Sequence, residues 1–263
     1  MQILWIYQIS KILKMPKSPK NKLLEFDRLL ISDIDHTLLG DRIALKELVD
    51  YLQSSEIAFG IATGRSIESA QQILQEWKVP SPDLWITSVG SEIYYGEEIQ
   101  MDLEWLEHIN DQWQPKLVRE AIAKLSGIKL QTAEGQRTHK ISYLVDPAKS
   151  PSIEEIQVHL RQYQLHVQAI YSHQEFLDIL PLRASKGDAV SYCANKWNFA
   201  IENILVAGDS GNDEQMLTSG ANAVVVGNYS FELEKLRGQE PVYFAVGDYA
   251  QGILEAIAHY KWR

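Results

Sequence analysis

Short apolar runs alternate with helix-period segments along this chain, and several of the runs stop abruptly at acids, glycine or threonine. LLISDI (29–34) is followed by a helix pattern at about 43–54, then IAFGIAT (57–63), a helix at about 66–78, and LWITSVG (84–90) with EIYY (92–95). Nearly continuous apolar strands joined through helices predict a parallel sheet with crossover connections, because both faces of such a sheet are covered. The rhythm changes after residue 103. An amphipathic pattern runs over about 103–125 with Pro115 expected to break it, since proline lacks the amide that a continuous helix needs. Strand-like IKLQT (128–132), HKISYLV (139–145) and LHVQAIY (165–171) follow, with a helix at about 152–163 and a closing EFLDILP (175–181). From residue 186 the first rhythm returns: a helix to about 197, ILVAGD (204–209), a helix at 212–218, AVVVG (223–227), VYFAV (242–246) and a last helix at about 249–260. The fold class expected is α/β, a doubly wound parallel-sheet core interrupted by a smaller inserted α+β domain.

Four short segments carry the chemistry. Asp33 and Asp35 stand at the carboxyl end of the first apolar strand, where ligands bind in open α/β sheets. Two acids so close together repel unless a cation or proton compensates, and carboxylate oxygens suit Mg²⁺. Gly208-Asp209-Ser210-Gly211-Asn212-Asp213 follows a second apolar run and offers two more acids at the same sheet edge. Thr63-Gly64-Arg65 closes a third strand before a helix, and a hydroxyl beside free helix-end amides makes a phosphate cradle. Ser185-Lys186-Gly187 opens a helix, where a lysine opposes the helix dipole and calls for an anion, either a phosphate or Asp213. Each segment has a bland alternative taken singly: a helix cap, a tight turn or a solvated lysine. Their joint order is what is specific.

Charge supplies the reason a cation is needed. The chain carries a formal net charge of −10, and five lysines without an acid fall in residues 1–24, so the remainder is more acidic still. Such a surface disfavours nucleic acid and repels a phosphate ester unless positive charge is supplied locally. No apolar run is long enough to cross a bilayer. One cysteine, Cys193, permits no intrachain disulfide and reads as a packing residue, in keeping with a cytoplasmic location. The seven histidines show no ligand spacing for zinc, and His36, next to Asp35, is expected at the rim of the site. Residues 1–25 read as a basic, disordered tail.

In sequence order, D-x-D-x-T (Asp33, Asp35, Thr37), T-G-R, S-K-G and G-D-S-G-N-D resemble the four motifs of the haloacid-dehalogenase-like (HAD) phosphatases, over about residues 28–263. The insert between the second and third motifs resembles their C2-type cap. The resemblance implies a Rossmann-like core at 26–105 and 182–263 and a cap at 106–181. It implies Asp33 as nucleophile, Asp35 as acid and base, and Thr63 and Lys186 as ligands of the transferring phosphoryl group. It further implies Mg²⁺ on Asp33, the Asp35 backbone carbonyl and Asp209, with Asp213 holding a water and orienting Lys186.

Within that superfamily, LLISDIDHTLLGD, IATGRS, VGSEIYY, HKISYLVDP and DILPLRASKGDAV are similar to the sucrose-6-phosphate phosphatases. A small sugar phosphate is then the expected partner. Gly64, Arg65, Ser91, Glu92, Ser210 and Asn212 would contact it from the core, and Lys140 and Asp178 from the cap. The same motifs leave open a trehalose, mannosylfructose or hexose phosphate as substrate. They also leave open a non-catalytic module that binds sucrose-phosphate synthase, although intact Asp33 and Asp35 speak against it. A receiver domain is about half this length and lacks the insert, and a phosphomutase differs in keeping the phosphoryl group. A monomer is expected.

Overall fold

The computed structural model describes residues 22–262. An eight-stranded sheet forms the larger unit, built from β1 (Arg28–Ser32), β2 (Ile57–Ala62), β3 (Leu84–Thr87), β4 (Glu92–Tyr95), β5 (Gln100–Met101), β10 (Ile204–Gly208), β11 (Asn222–Val225) and β12 (Val242–Phe244). The strand order is β12-β11-β10-β1-β2-β3-β4-β5. Side chains alternate along each strand, so β1 sends Leu29 and Ile31 to one apolar layer and Leu30 to the other. Helices α1 (Arg42–Gln53), α2 (Ile67–Trp77) and α8 (Tyr249–His259) cover the Leu30 side. Helices α6 (Lys186–Trp197) and α7 (Glu214–Leu217) cover the other.

The chain leaves β1 in one direction towards β2 and β3, and β10 continues in the other towards β11 and β12. Their junction is the topological switch point, where a crevice opens beyond the carboxyl ends of the strands. β1 and β10 pair in parallel with Ser32 opposite Ala207, which brings Asp33 and Asp209 out side by side.

The sheet is not wholly parallel, as the run of apolar segments suggested. β4 and β5 pair antiparallel at its edge, because only the four residues Ser88–Ser91 separate β3 from β4 and leave no room for a crossover helix. That turn is tight. Ser88, Val89 and Gly90 all have positive φ, and a Cβ on Gly90 would lie 2.2 Å from the Ser185 carbonyl oxygen. Only glycine admits so close an approach to the start of α6.

The smaller unit is a four-stranded antiparallel sheet of β6 (Ile128–Leu130), β7 (Ile141–Val145), β9 (Phe176–Pro181) and β8 (Val167–Ser172), in that spatial order. Two helices, α4 (Pro115–Ile122) and α5 (Ile153–Gln162), pack on one of its faces around Val118, Ile122, Ile156, Leu160, Ile141 and Ile179. Pro115 occupies the first turn of α4, where its missing amide costs nothing, and so separates it from α3 (Leu103–Ile109). Packing sets the boundary later than residue 106. Trp105, Leu106 and Ile109 all join the larger unit's apolar layer, and the first residue of the smaller cluster is Trp113. The other boundary also moves. Leu23 is wholly buried in the core layer and Lys22 pairs with Asp83 at 3.1 Å, so the expected tail to residue 25 ends earlier, and its first 21 residues lie outside the described ones.

Candidate active site

Asp33 sits one residue past β1, its amide donating to the Ala207 carbonyl at 2.9 Å. Lys186, the first residue of α6, is fully buried and reaches it. Its Nζ donates to Asp33 Oδ1 at 2.7 Å and to Asp213 Oδ1 at 2.6 Å. The lysine at the helix start is thus compensated by two carboxylates. The other oxygen of Asp213 accepts the amides of Asp209 (3.0 Å) and Ser210 (3.1 Å), which fixes the loop after β10. Thr37, the last residue of D-x-D-x-T, donates its hydroxyl to Asp209 Oδ1 at 2.8 Å. Thr37, visible in the sequence only as a motif position, thus orients a carboxylate of the cluster.

Carboxylate oxygens of Asp33, Asp209 and Asp213 lie within 4.8 Å of one another, and all three residues are buried. One ammonium does not balance three carboxylates. Burial, then the charge of Asp213, push Asp33 up to about 7 against the opposing pull of Lys186, and burial with Asp213 and Asp33 pushes Asp209 up to about 8. An all-oxygen donor set short of positive charge fits a hard divalent cation.

Asp35 stands apart from this cluster. Arg65 grips it with two parallel bonds of 2.7 Å, from Nε and Nη2, and donates a third to Ser69 Oγ at 2.9 Å. Arg65, expected at the substrate, therefore holds a site carboxylate in place. Thr63 is fully buried and its Oγ1 accepts the Arg65 amide at 3.2 Å. It is not the helix cap, since Ser66 serves α2 in that role. Gly64 stands beside Asn212, whose Oδ1 is buried with no partner among the described residues. Ser210 is buried beside it in the loop.

Two expected contacts are engaged in the turn itself. Ser91 is fully buried and donates to the Ser88 carbonyl at 3.0 Å. Glu92 accepts the hydroxyls of Ser88 (2.9 Å) and Thr87 (3.3 Å). His36 lies at the rim, its ring 5.9 Å from that of His173 on the smaller unit.

Lys140 and Asp178 form a buried pair and not the solvated charges their residue types suggest. Ser142 sits directly across β7–β9 from Asp178 and donates to it, while Lys140 Nζ donates to Ser142 Oγ at 2.7 Å and to Asp178 at 3.4 Å. Period-two alternation gives the direction of this face. Ile141, Tyr143, Leu177 and Ile179 point into the smaller unit's own core, whereas Ile170 and Leu180 pack into the larger unit's layer. Lys140, Ser142 and Asp178 share the side turned towards the larger unit. Ser142 was legible as the residue two beyond Lys140 on the same strand.

A carboxylate-ended switch point, a lysine at the start of α6 and an inserted cap over them define the haloacid-dehalogenase-like class. More narrowly, residues 26–261 match the model of the sucrose-6F-phosphate phosphohydrolase family, and the chain belongs to that family. The solved structure of the sucrose-phosphatase from Synechocystis sp. PCC6803, in complex with sucrose and phosphate, is 35% identical. It superposes with a TM-score of 0.85 over 90% of this chain and 98% of that one. Sucrose-phosphatase 1 of Nicotiana tabacum is 33% identical over 89% of this chain, which spans 59% of the tobacco protein's length. Mannosylfructose-phosphate phosphatase of Agrobacterium fabrum is 26% identical over 89% of this chain and 96% of its own.

Proposed function

We propose that this chain hydrolyses sucrose-6-phosphate to sucrose and phosphate, with Asp33 as nucleophile. The observation that carries the reading is the Lys186-bridged cluster of Asp33, Asp209 and Asp213 at the switch point, beneath a cap face bearing Lys140, Ser142 and Asp178. Asp33 Oδ attacks phosphorus, the bond from phosphorus to the sugar oxygen breaks, and Asp35, entering the step protonated with one oxygen turned from Arg65 to the sugar oxygen, gives that oxygen its proton. Asp35 then takes a proton from the water that cleaves the aspartyl phosphate. Lys186 and Thr63 hold the phosphoryl oxygens. Asp33, Asp209 and the Asp35 carbonyl would hold Mg²⁺, with Asp213 beside them, and the ion supplies positive charge against the phosphate dianion. Cap residues Lys140, Ser142 and Asp178 offer a donor and acceptors for sugar hydroxyls, with Asn212 and Ser210 on the core side and Arg65 acting through Asp35.

We read residues 26–105 and 182–263 as the catalytic unit, extended by Leu23 and by α3 as far as Ile109, which pack into the same apolar layer. We further propose a monomer in the cytoplasm, a reducing compartment in which the lone buried Cys193 stays a thiol. Sucrose-phosphate synthase is the protein partner this reading suggests.

The test is phosphate release from sucrose-6-phosphate, with and without Mg²⁺, beside glucose-, fructose-, trehalose- and mannosylfructose-phosphates. Strong preference for sucrose-6-phosphate is expected. Preference for mannosylfructose-phosphate would transfer the substrate to that alternative.

Cation binding is expected to release protons. Asp33 and Asp209 hold protons up to about 7 and about 8, so Mg²⁺ must displace them, and affinity should rise with pH through that range. Calorimetry near neutral pH in buffers of different ionisation enthalpy reads this directly, and equal heats in all buffers would contradict it. Arg65→Lys keeps the charge but loses the two-pronged grip on Asp35. We expect kcat to fall roughly tenfold with KM changed far less, because a misplaced acid slows the chemical step. A rise in KM at constant kcat would assign Arg65 to the substrate instead.

A further inference from the structure

Glu232 has no part in the scheme above, yet its carboxylate is divided between the two units. One oxygen, Oε2, accepts the amide of Gly211 at 2.8 Å, in the loop that carries Asp209 and Asp213. The other, Oε1, accepts the amide of Gln174 at 3.2 Å, at the tip of the β8–β9 hairpin of the cap. Both ends of this bridge are shaped for it. His173 and Gln174 take left-handed conformations, which turns the hairpin tightly and aims the Gln174 amide outwards, and the Tyr171 hydroxyl braces the turn by donating to the Gln174 carbonyl at 2.7 Å. On the core side the Ser230 amide donates to the Asp209 carbonyl at 2.7 Å, so the segment bearing Glu232 is itself tied to the loop.

The cap also approaches Gly211 by its backbone. A Cβ at that position would lie 2.4 Å from the Tyr171 carbonyl oxygen and 2.8 Å from Glu232 Oε2. Residue 211 must be glycine for the cap to sit where it does. Two backbone amides, one from each unit, satisfy the two oxygens of the Glu232 carboxylate. Hydrogen bonds to a carboxylate are about twice as strong as neutral ones.

We propose that Glu232 is a positioning residue that latches the cap hairpin to the Asp209–Asp213 loop, so that the closed cap is held against the loop that carries two of the site carboxylates. It touches neither sugar nor phosphate and acts through Gly211 and Gln174. When the cap lifts, Oε1 and the Gln174 amide exchange each other for water, and the Gly211 contact remains. The latch therefore stabilises the closed state without entering the chemical step. This inference rests on the phosphatase reading for its kinetic consequence, but its structural claim stands separately.

The test uses Glu232→Ala and Glu232→Gln in the full chain, the second keeping one acceptor oxygen in case the first folds poorly. With sucrose-6-phosphate and Mg²⁺, Glu232→Ala is expected to raise KM roughly tenfold while kcat stays within about twofold, the loss being of closed-state binding. Glu232→Gln should fall between it and the parent. A fall in kcat as large as the rise in KM would make Glu232 a support of the loop alone and overturn the latch, as would no change in either. Amide hydrogen exchange of the substrate-free protein gives a second readout. The Gln174 amide should exchange roughly tenfold faster in Glu232→Ala. Unchanged exchange there overturns the latch even if the parent releases no phosphate from this ester, an outcome that would separately sink the substrate reading.

Discussion

Asp33→Asn is expected to abolish phosphate release, by roughly 10⁴-fold or more, while leaving the folded protein at least as stable near neutral pH as its parent. The first half follows from the nucleophile's chemistry. A carboxamide oxygen does not displace the sugar oxygen from phosphorus, and removing a nucleophile that acts together with its partners removes nearly all the rate they share. The second half follows from the site's electrostatics. Asp33 is buried and pushed up to about 7, so its ionised form is held at a cost that a neutral amide of the same shape does not incur. The amide oxygen introduced by Asp33→Asn still accepts from Lys186, which retains its charged partner Asp213 as well. The checks are phosphate release at saturating sugar phosphate and urea unfolding of metal-free protein near pH 7.5. Residual activity within tenfold of the parent would remove Asp33 as nucleophile, and marked destabilisation would mean that its charge is needed to hold Lys186.

How much of this was legible in the sequence depended on the length scale of the signal. The parallel strands were, because each is a buried run and such runs are nearly all apolar, as in IAFGIA and ILVA. The pairing of β1 with β10 was legible only as a condition, that Asp209 joins Asp33 if those strands are neighbours. Register is a long-range fact that strand composition does not carry. The antiparallel edge carries no composition signal, because two of the three left-handed residues that turn the chain there, Ser88 and Val89, are not glycine. The helix over Leu103–Ile109 was given partly to the cap because its periodicity says that it buries a face, not against which layer. In the site, the residue types of all four motifs were visible, but side-chain direction was not. Arg65 turning to Asp35, Ser91 folding into its own turn and Glu232 spanning two units are all rotamer and loop facts. Ser142 and Thr37 lay within reach of simple rules, alternation in one case and motif position in the other.

Lys186→Met should be damaging to both rate and stability, and the stability loss should grow with pH. Lys186 has no exposed surface, and burial by itself weakens its hold on the proton. The charges of Asp213 and Asp33 outweigh that and hold it protonated well above the ordinary lysine range. In its absence three carboxylates share one buried pocket with no cation from the protein. Removing one partner of a buried ion pair costs about 3–5 kcal/mol because the other charge is left uncompensated. The sign of the pH effect follows from proton counts. Asp33 and Asp209 titrate at about 7 and about 8 when folded, against an ordinary value of 3.8, so the folded chain binds protons that the unfolded chain has released. Stability of the metal-free protein therefore falls as pH rises from the ordinary carboxylate range through those folded values. Without the ammonium both values move higher still, so the fall continues to higher pH than in the parent. Urea unfolding at about pH 5.5 should show a modest loss in Lys186→Met and a far larger one at about pH 8, with Mg²⁺ recovering part of it. Phosphate release should drop by about 10²–10³, the cost of removing one fixed donor from a charge-developing site, and Mg²⁺ should not restore it. An equal loss of stability at both pH values would show that the side chain matters as packing, and would take from the cluster the charge imbalance on which its fit to a cation rests.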